Sequence, residues 1–189
     1  MNAEYYHTKK SVAEYINAAK GFDGSDLIKK LEEVLPANSN ILEIGSGPGE
    51  DWEILSTFYS VIGSDFSSEF LNHLIAKYPT GKFLNLDAIT LKTEQKFDGI
   101  YSNKVMHHLR DSELIESIKN QHKILNPDGI ICHSFWKGKG SEIFKGLFVN
   151  YHDKFSLRKF YEASFEILTL DFYKEFEDGD SLLLIGKKK

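Results

Sequence analysis

The chain has 189 residues, 41% hydrophobic and 27% charged, with a formal net charge of −5. That length suits one domain with a sizeable core, and the acidic balance gives no electrostatic footprint for nucleic acid. A single cysteine, Cys132, excludes an internal disulfide and fits a reducing compartment. No apolar run reaches the ~20 residues of a bilayer span, so no membrane association is expected. Residues 4–7 lack the apolar centre of a signal peptide, so a cytoplasmic location is expected.

Helical spacing predicts two helices at residues 11–19 and 26–35, the second with Leu27, Ile28, Leu31, Val34 and Leu35 on one face and Pro36 as its stop. A strand at 40–44 runs into Gly45, Gly47 and Gly49, after which Glu50, Asp51 and Trp52 open a helix over 50–57. A second strand covers 59–65. Ser67 caps a helix reaching Tyr78, with Phe70, Leu71, Leu74 and Ile75 as its apolar stripe. Residues 82–86 and 97–102 read as the third and fourth strands.

Asp111 is expected to cap an amphipathic helix through Leu114, Ile115, Ile118, His122 and Leu125. Asn126-Pro127-Asp128-Gly129 should turn the chain into a fifth strand at 130–136, in which Cys132 is a buried core thiol. Residues 137–155 are rich in Gly, Lys and aromatics without a regular period. A capped helix at 156–163 follows, then strands at 165–176 and 181–185 reversed at Asp178-Gly179. Strands alternating with helices must cross over a face and run parallel, whereas a terminal hairpin cannot. The expected fold class is therefore α/β: a doubly wound, mostly parallel seven-stranded sheet with an antiparallel final strand.

The glycine corner brings bare backbone up to a ligand. A dinucleotide fingerprint needs its third glycine where Glu50 stands, and no Gly-Lys-Ser/Thr follows as in a P-loop. An acidic residue at that helix start would repel a pyrophosphate, so the corner points to a ligand without phosphates. Asp65 ends the second strand, where a carboxylate can accept from both hydroxyls of a ribose, or cap the next helix. Asp87, at the end of the third strand, can accept from an exocyclic amine with the Ala88 backbone at the ring edge. A turn or helix-cap role for Asp87 is the alternative.

Together these residues resemble the class I S-adenosylmethionine-dependent methyltransferases. Glu43 to Gly49 meet that family's E-x-G-x-G-x-G pattern in full, Asp65 matches its ribose-binding acid, and Asp87-Ala88 its adenine contact. Residues 97–103 look like its fourth strand, residues 125–129 like the turn into its fifth, and the terminal hairpin agrees with its closing antiparallel strand. The resemblance implies one methyltransferase domain over 1–189, with 1–36 as N-terminal helices and lid and 137–155 as an acceptor-side insertion. It implies S-adenosylmethionine as cofactor, held by Glu43, Gly45, Ser46, Gly47, Asp65, Phe66, Asp87, Ala88, Ser102, Asn103 and Tyr6. A sulfonium is already an activated methyl donor, so the protein's part is to hold nucleophile, methyl and sulfur in line.

Enzymes of this family that methylate DNA adenine or protein glutamine carry Asn/Asp-Pro-Pro-Tyr/Phe after the fourth strand. This chain reads Ser102-Asn103-Lys104-Val105, so a small-molecule acceptor is expected, with no nucleic-acid partner. His107 and His108 follow that strand. On a helix they would point about 100° apart, so that only one faces the site, as a general base or orienting group. A structural role under the sheet edge is the other reading. Tyr5, Tyr6 and Lys9 either fold over the cofactor or pack the first helix, and Trp136 and Tyr151 are candidates for the acceptor wall. No metal site is expected, and the chain is read as a monomer or homodimer. A methyltransferase-like domain that binds cofactor or a partner without catalysis stands as the alternative function.

Overall fold

The computed structural model describes Tyr6 and residues 8–189. Tyr5, placed in the lid segment by the sequence reading, lies outside the described residues. In chain order the elements are α1 (Lys9–Ala19), α2 (Ser25–Glu32), β1 (Asn40–Ile44), α3 (Glu50–Leu55), β2 (Ser60–Asp65), α4 (Ser68–Lys77), β3 (Lys82–Asn85) and β4 (Phe97–Ser102). A 3-10 turn (Met106–His108) then precedes α5 (Asp111–Ile124), β5 (Leu125–Trp136), β6 (Ser141–Phe144), β7 (Leu147–Asn150), α6 (Lys154–Tyr161), β8 (Phe165–Tyr173) and β9 (Ser181–Lys188).

Seven strands form one sheet in the order β3-β2-β1-β4-β5-β9-β8. Pairings from β3 through β5 are parallel, and β9 runs antiparallel to both β5 and β8. The terminal hairpin thus folds back so that β9 inserts between β5 and β8. Side-chain alternation along each strand feeds two cores. Leu42, Ile100 and Ile131 face Leu114 and Ile118 of α5 and Leu157 of α6. Their neighbours Ile41, Tyr101 and Cys132 face Leu27, Ile28 and Leu31 of α2. Cys132 is fully buried, and burial pushes its thiol up.

Several boundaries differ from the sequence expectation. Helix α1 begins at Lys9 because Thr8 accepts from the Ser11 N–H at 3.1 Å. Asp111 is the first residue of α5 and not its cap; Arg110 holds that position, and its N–H donates to Glu113 at 2.8 Å. Asp153 caps α6 by accepting from Ser156 N–H at 2.8 Å, so that helix starts two residues early. The turn at 126–129 is a bulge within β5: Phe97 pairs with Leu125, and Gly99 with Ile130. Residues 137–155 hold the β6–β7 hairpin, which the sequence reading missed; Lys145 and Gly146 at its tip have φ of 49° and 82°.

Between the sheet and α5 runs a buried chain of hydrogen bonds whose direction is fixed. Ser117 donates to Ala88 O at 2.6 Å, and Gln121 Nε2 donates to Ser117 Oγ at 3.1 Å. Gln121 Oε1 can only accept, so His133 Nε2 is the donor across their 2.8 Å contact. Burial lowers His133 to about 3, leaving its ring neutral, and Nδ1 accepts from Ser102 at 2.8 Å. The chain links Ala88, after β3, to Ser102, at the end of β4. Among the described residues no helix is long and apolar enough to cross a membrane.

Candidate functional site

A cavity of about 510 Å³ opens where β1, β2, β4 and β5 end. Its floor is the glycine corner. Gly45 adopts φ 71°, and a Cβ there would meet Val105 at 2.5 Å, so strand and 3-10 turn close on each other only through glycine. At Gly47 (φ 49°) a Cβ would approach nothing nearer than Gly45 O at 4.0 Å, so its bare backbone faces open space. Ser46 locks the corner: its N–H donates to Ser64 O at 2.8 Å, and its hydroxyl donates to Glu43 at 2.5 Å.

Three acids surround this floor, Glu43 buried and Asp51 and Asp65 half-buried. Asp65 accepts from Gly47 N–H at 3.1 Å and Ser67 N–H at 2.8 Å. Burial raises Asp65 to about 6 against the opposing pull of those amides. Burial, then the charge of Asp51, raises Glu43 to about 8, although the Ser46 hydrogen bond opposes this. Asp51 is raised by burial and held by Gly24 N–H at 2.6 Å, Tyr101 Oη at 2.8 Å and Asn103 Nδ2 at 3.1 Å. The lysines on the cavity wall, Lys104 and Lys145, belong to the β4 exit and the β6–β7 tip, and the Lys104 ammonium turns to Trp136 and Ser181.

Of the residues picked from the sequence, Tyr6, Glu43, Gly45, Ser46, Gly47, Asp65, Phe66, Ala88 and Asn103 line the cavity. Two do not. Ser102 is fully buried with its hydroxyl committed to His133 on the α5 side of β4. The Asp87 carboxylate turns back to accept from Ile89 and Thr90 N–H, both at 2.9 Å, which is the turn role weighed as its alternative.

His107 and His108 both reach the cavity wall, contrary to the helical argument. They sit on a 3-10 turn with ring centroids 4.1 Å apart, and the cavity wraps around both. His108 Nδ1 lies 2.8 Å from Phe148 O, which ties the turn to the β6–β7 hairpin. Burial lowers both histidines, His107 well below its usual range, with help from His108, Lys104 and His152. Trp136 lines the cavity as expected, whereas Tyr151 turns away to donate to Glu142 at 2.6 Å. Tyr6 packs edge-on to Tyr15 at 5.4 Å and lies 5.7 Å from Phe70, and Lys9 is exposed.

The sequence reading missed Asp51, Lys104, Phe22 and Phe176 on the wall, whereas Phe144 comes from the 137–155 segment expected on the acceptor side. In the sequence Asp51 reads only as a helix opener. Lys104 sits at φ 54°, its ammonium 3.5 Å from the Trp136 ring centroid and 2.6 Å from Ser181 Oγ. Burial lowers it to about 8 despite the Glu175 charge 3.7 Å away. No local sequence pattern marks that burial.

Residues 41–129 match the methyltransferase-domain family. A curated relative, an uncharacterized methyltransferase of Oceanobacillus iheyensis, is 31% identical over 119 residues, covering 59% of this chain and 53% of that protein. The chain therefore spans about half the length of the curated relative it matches. Its fold superposes on an S-adenosylmethionine-dependent methyltransferase from Clostridium acetobutylicum with TM-score 0.78 at 13% identity, covering 96% of this chain and 99% of that one. The N-methyltransferase NodS of Bradyrhizobium japonicum, solved with S-adenosyl-L-homocysteine, gives TM-score 0.73 at 16% identity, covering 95% and 97%. An amino pentose methyltransferase of Micromonospora echinaspora, solved with S-adenosylmethionine, gives 0.75 at 13% identity, covering 94% and 97%.

Proposed function

We propose, from the match of residues 41–129 to the methyltransferase-domain family and the class I methyltransferase fold, that the chain moves a methyl group from S-adenosylmethionine to a small-molecule acceptor. The observation that carries this reading is a single cavity lined both by bare Gly47 backbone paired with Asp65 and by His107, His108 and Trp136. The residues present fit the cofactor. A ligand with a sulfonium, an ammonium and ribose hydroxyls suits a floor of Asp51, Asp65 and open main chain, and the lysine beside the corner, Lys77, is already paired with Glu50 at 3.2 Å.

When bound, S-adenosylmethionine supplies a methyl group ready for in-line displacement. Asp65 would accept from the ribose hydroxyls, and the Ala88 backbone and Leu86 would border the adenine. The Gly45–Gly47 main chain would underlie the methionine part, with Asn103 and Asp51 beside it. His107, held uncharged by burial, would stand on the acceptor side as a group able to accept a hydrogen bond or proton. Relatives solved with bound ligand support the cofactor assignment, and a toxoflavin-precursor N1-methyltransferase of Burkholderia thailandensis (TM-score 0.73, 18% identity) with a bound small-molecule substrate supports the acceptor class.

Calorimetry with S-adenosylhomocysteine tests this reading. The wild-type chain should bind it, and Asp65→Ala should bind at least about tenfold more weakly, the loss of one charge-assisted hydrogen-bond pair. Unchanged affinity in that variant would remove Asp65 from the site, and no binding to the wild type would overturn the function.

A further inference from the structure

The acceptor end of the cavity is built from aromatic side chains left open to solvent. Trp136, the last residue of β5, and Phe176, from the loop between β8 and β9, lie with ring centroids 5.8 Å apart and planes 17° from parallel. Phe22, beyond the end of α1, meets Phe176 edge-on at 5.2 Å and 71°. Phe144 reaches the same cavity from the β6–β7 hairpin. Scattered exposed phenylalanines need no explanation, but Phe22, Phe144 and Phe176 are 49%, 56% and 58% exposed and converge on one cavity. They come from three segments far apart in the chain.

The charges at this end are matched locally. Lys104 lies over the Trp136 ring with Glu175 at 3.7 Å, and its ammonium donates to Ser181 Oγ at 2.6 Å and Phe135 O at 3.3 Å. That lysine is therefore already partnered and does not call for an anionic ligand. What remains to be matched is ring surface, which prefers another ring by face or edge over an aliphatic body of equal size. The polar wall group next to it is His107, whose ring centroid is 6.4 Å from Trp136.

We propose that the acceptor is a neutral planar aromatic molecule, seated against Trp136, Phe176 and Phe22 with its reacting heteroatom toward His107. This deepens the methyltransferase reading and rests on it for the word acceptor; the aromatic binding site itself does not depend on that reading.

The test is calorimetry with matched neutral pairs of planar and saturated ring compounds: 2-naphthol against decahydro-2-naphthol, and 2-naphthamide against decahydro-2-naphthamide. Each is titrated into protein saturated with S-adenosylhomocysteine and into protein alone. The aromatic member should bind at least about fivefold more tightly than its saturated partner. In Phe176→Leu, which keeps apolar bulk on an exposed position but removes the ring, that preference should vanish while S-adenosylhomocysteine affinity stays unchanged. Equal binding of the two members, binding of neither, or a preference that survives Phe176→Leu overturns the proposal. So does a dimer in sedimentation that Phe176→Leu abolishes, which would give these rings to a second copy of the chain. Failure of S-adenosylhomocysteine to bind overturns the cofactor reading instead, and the titrations without it still decide the aromatic site.

Discussion

Asp51 accepts the Gly24 backbone N–H at 2.6 Å and thereby fastens the start of α2 to the helix that follows the glycine corner. The same carboxylate takes the Tyr101 and Asn103 side chains, so one half-buried group joins the N-terminal helices, β4 and the cavity floor. Asp51→Ala leaves three donors without their acceptor and should cost on the order of 2 kcal/mol or more of stability. Asp51→Asn retains one acceptor oxygen and should cost less. Thermal unfolding gives the two values, and amide exchange at Gly24 should speed up in Asp51→Ala; slow exchange there would refute the tie.

Gly45 and Val105 make a coupled pair. Gly45→Ala combines a left-handed φ of 71° with a Cβ 2.5 Å from Val105 Cγ2, and should destabilise by about 2–4 kcal/mol. Val105→Ala removes the blocking methyls, so the double variant should recover part of that loss. A double-mutant cycle measures the coupling, and strict additivity would show that the contact does not matter.

The proposed role of Asp65 predicts a pH dependence of cofactor affinity. The carboxylate would have to be ionised to accept two hydroxyls, and burial raises it to about 6. S-adenosylhomocysteine affinity should therefore be flat above that value and fall by up to about tenfold per pH unit below it. Asp65→Asn should bind weakly with no such slope. A wild-type slope retained in Asp65→Asn would assign the titration to another group.

Glu43 should act on stability in the opposite sense to a salt-bridged acid. Its folded value of about 8 lies above its ordinary 4.5, so between those limits the native state holds a proton that the unfolded chain has lost. Stability should then decline as pH rises through that window, by at most about 1.4 kcal/mol per unit. Glu43→Gln should flatten the profile, which denaturant melts at pH 5, 6.5 and 8 would reveal.

The histidines should separate cofactor from acceptor binding. His107→Ala and His108→Ala should leave S-adenosylhomocysteine affinity within about twofold, as the acceptor-side placement proposed for both rings requires. Loss of cofactor binding in either would move the 3-10 turn to the cofactor side.

Strand-to-glycine patterning made the parallel half of the sheet legible, because period-two apolar runs and glycine turns are local signals. Residues 97–102 matched β4, and Ser67 capped α4 as read, accepting from Phe70 N–H. The β6–β7 hairpin escaped because its tip is Lys145-Gly146, and a lysine at positive φ is not a turn signal that sequence advertises. Ser102 and Asn103 show the other limit. Adjacent residues at a strand end point to opposite faces, so a motif that ends there names both while the sheet presents only one to the cavity. Asp51 and Lys104 owe their places to partners 27 to 77 residues away in sequence, which no window can see.

The one-way chain from Ser102 through His133, Gln121 and Ser117 to Ala88 constrains how this interior can drift over generations. Each member donates a hydrogen bond to the next, so an apolar replacement at any single link strands a neighbour in a dry environment. Descendants of this sequence are expected to keep all four polar links together or to have exchanged them as a set, with intermediates that fold poorly.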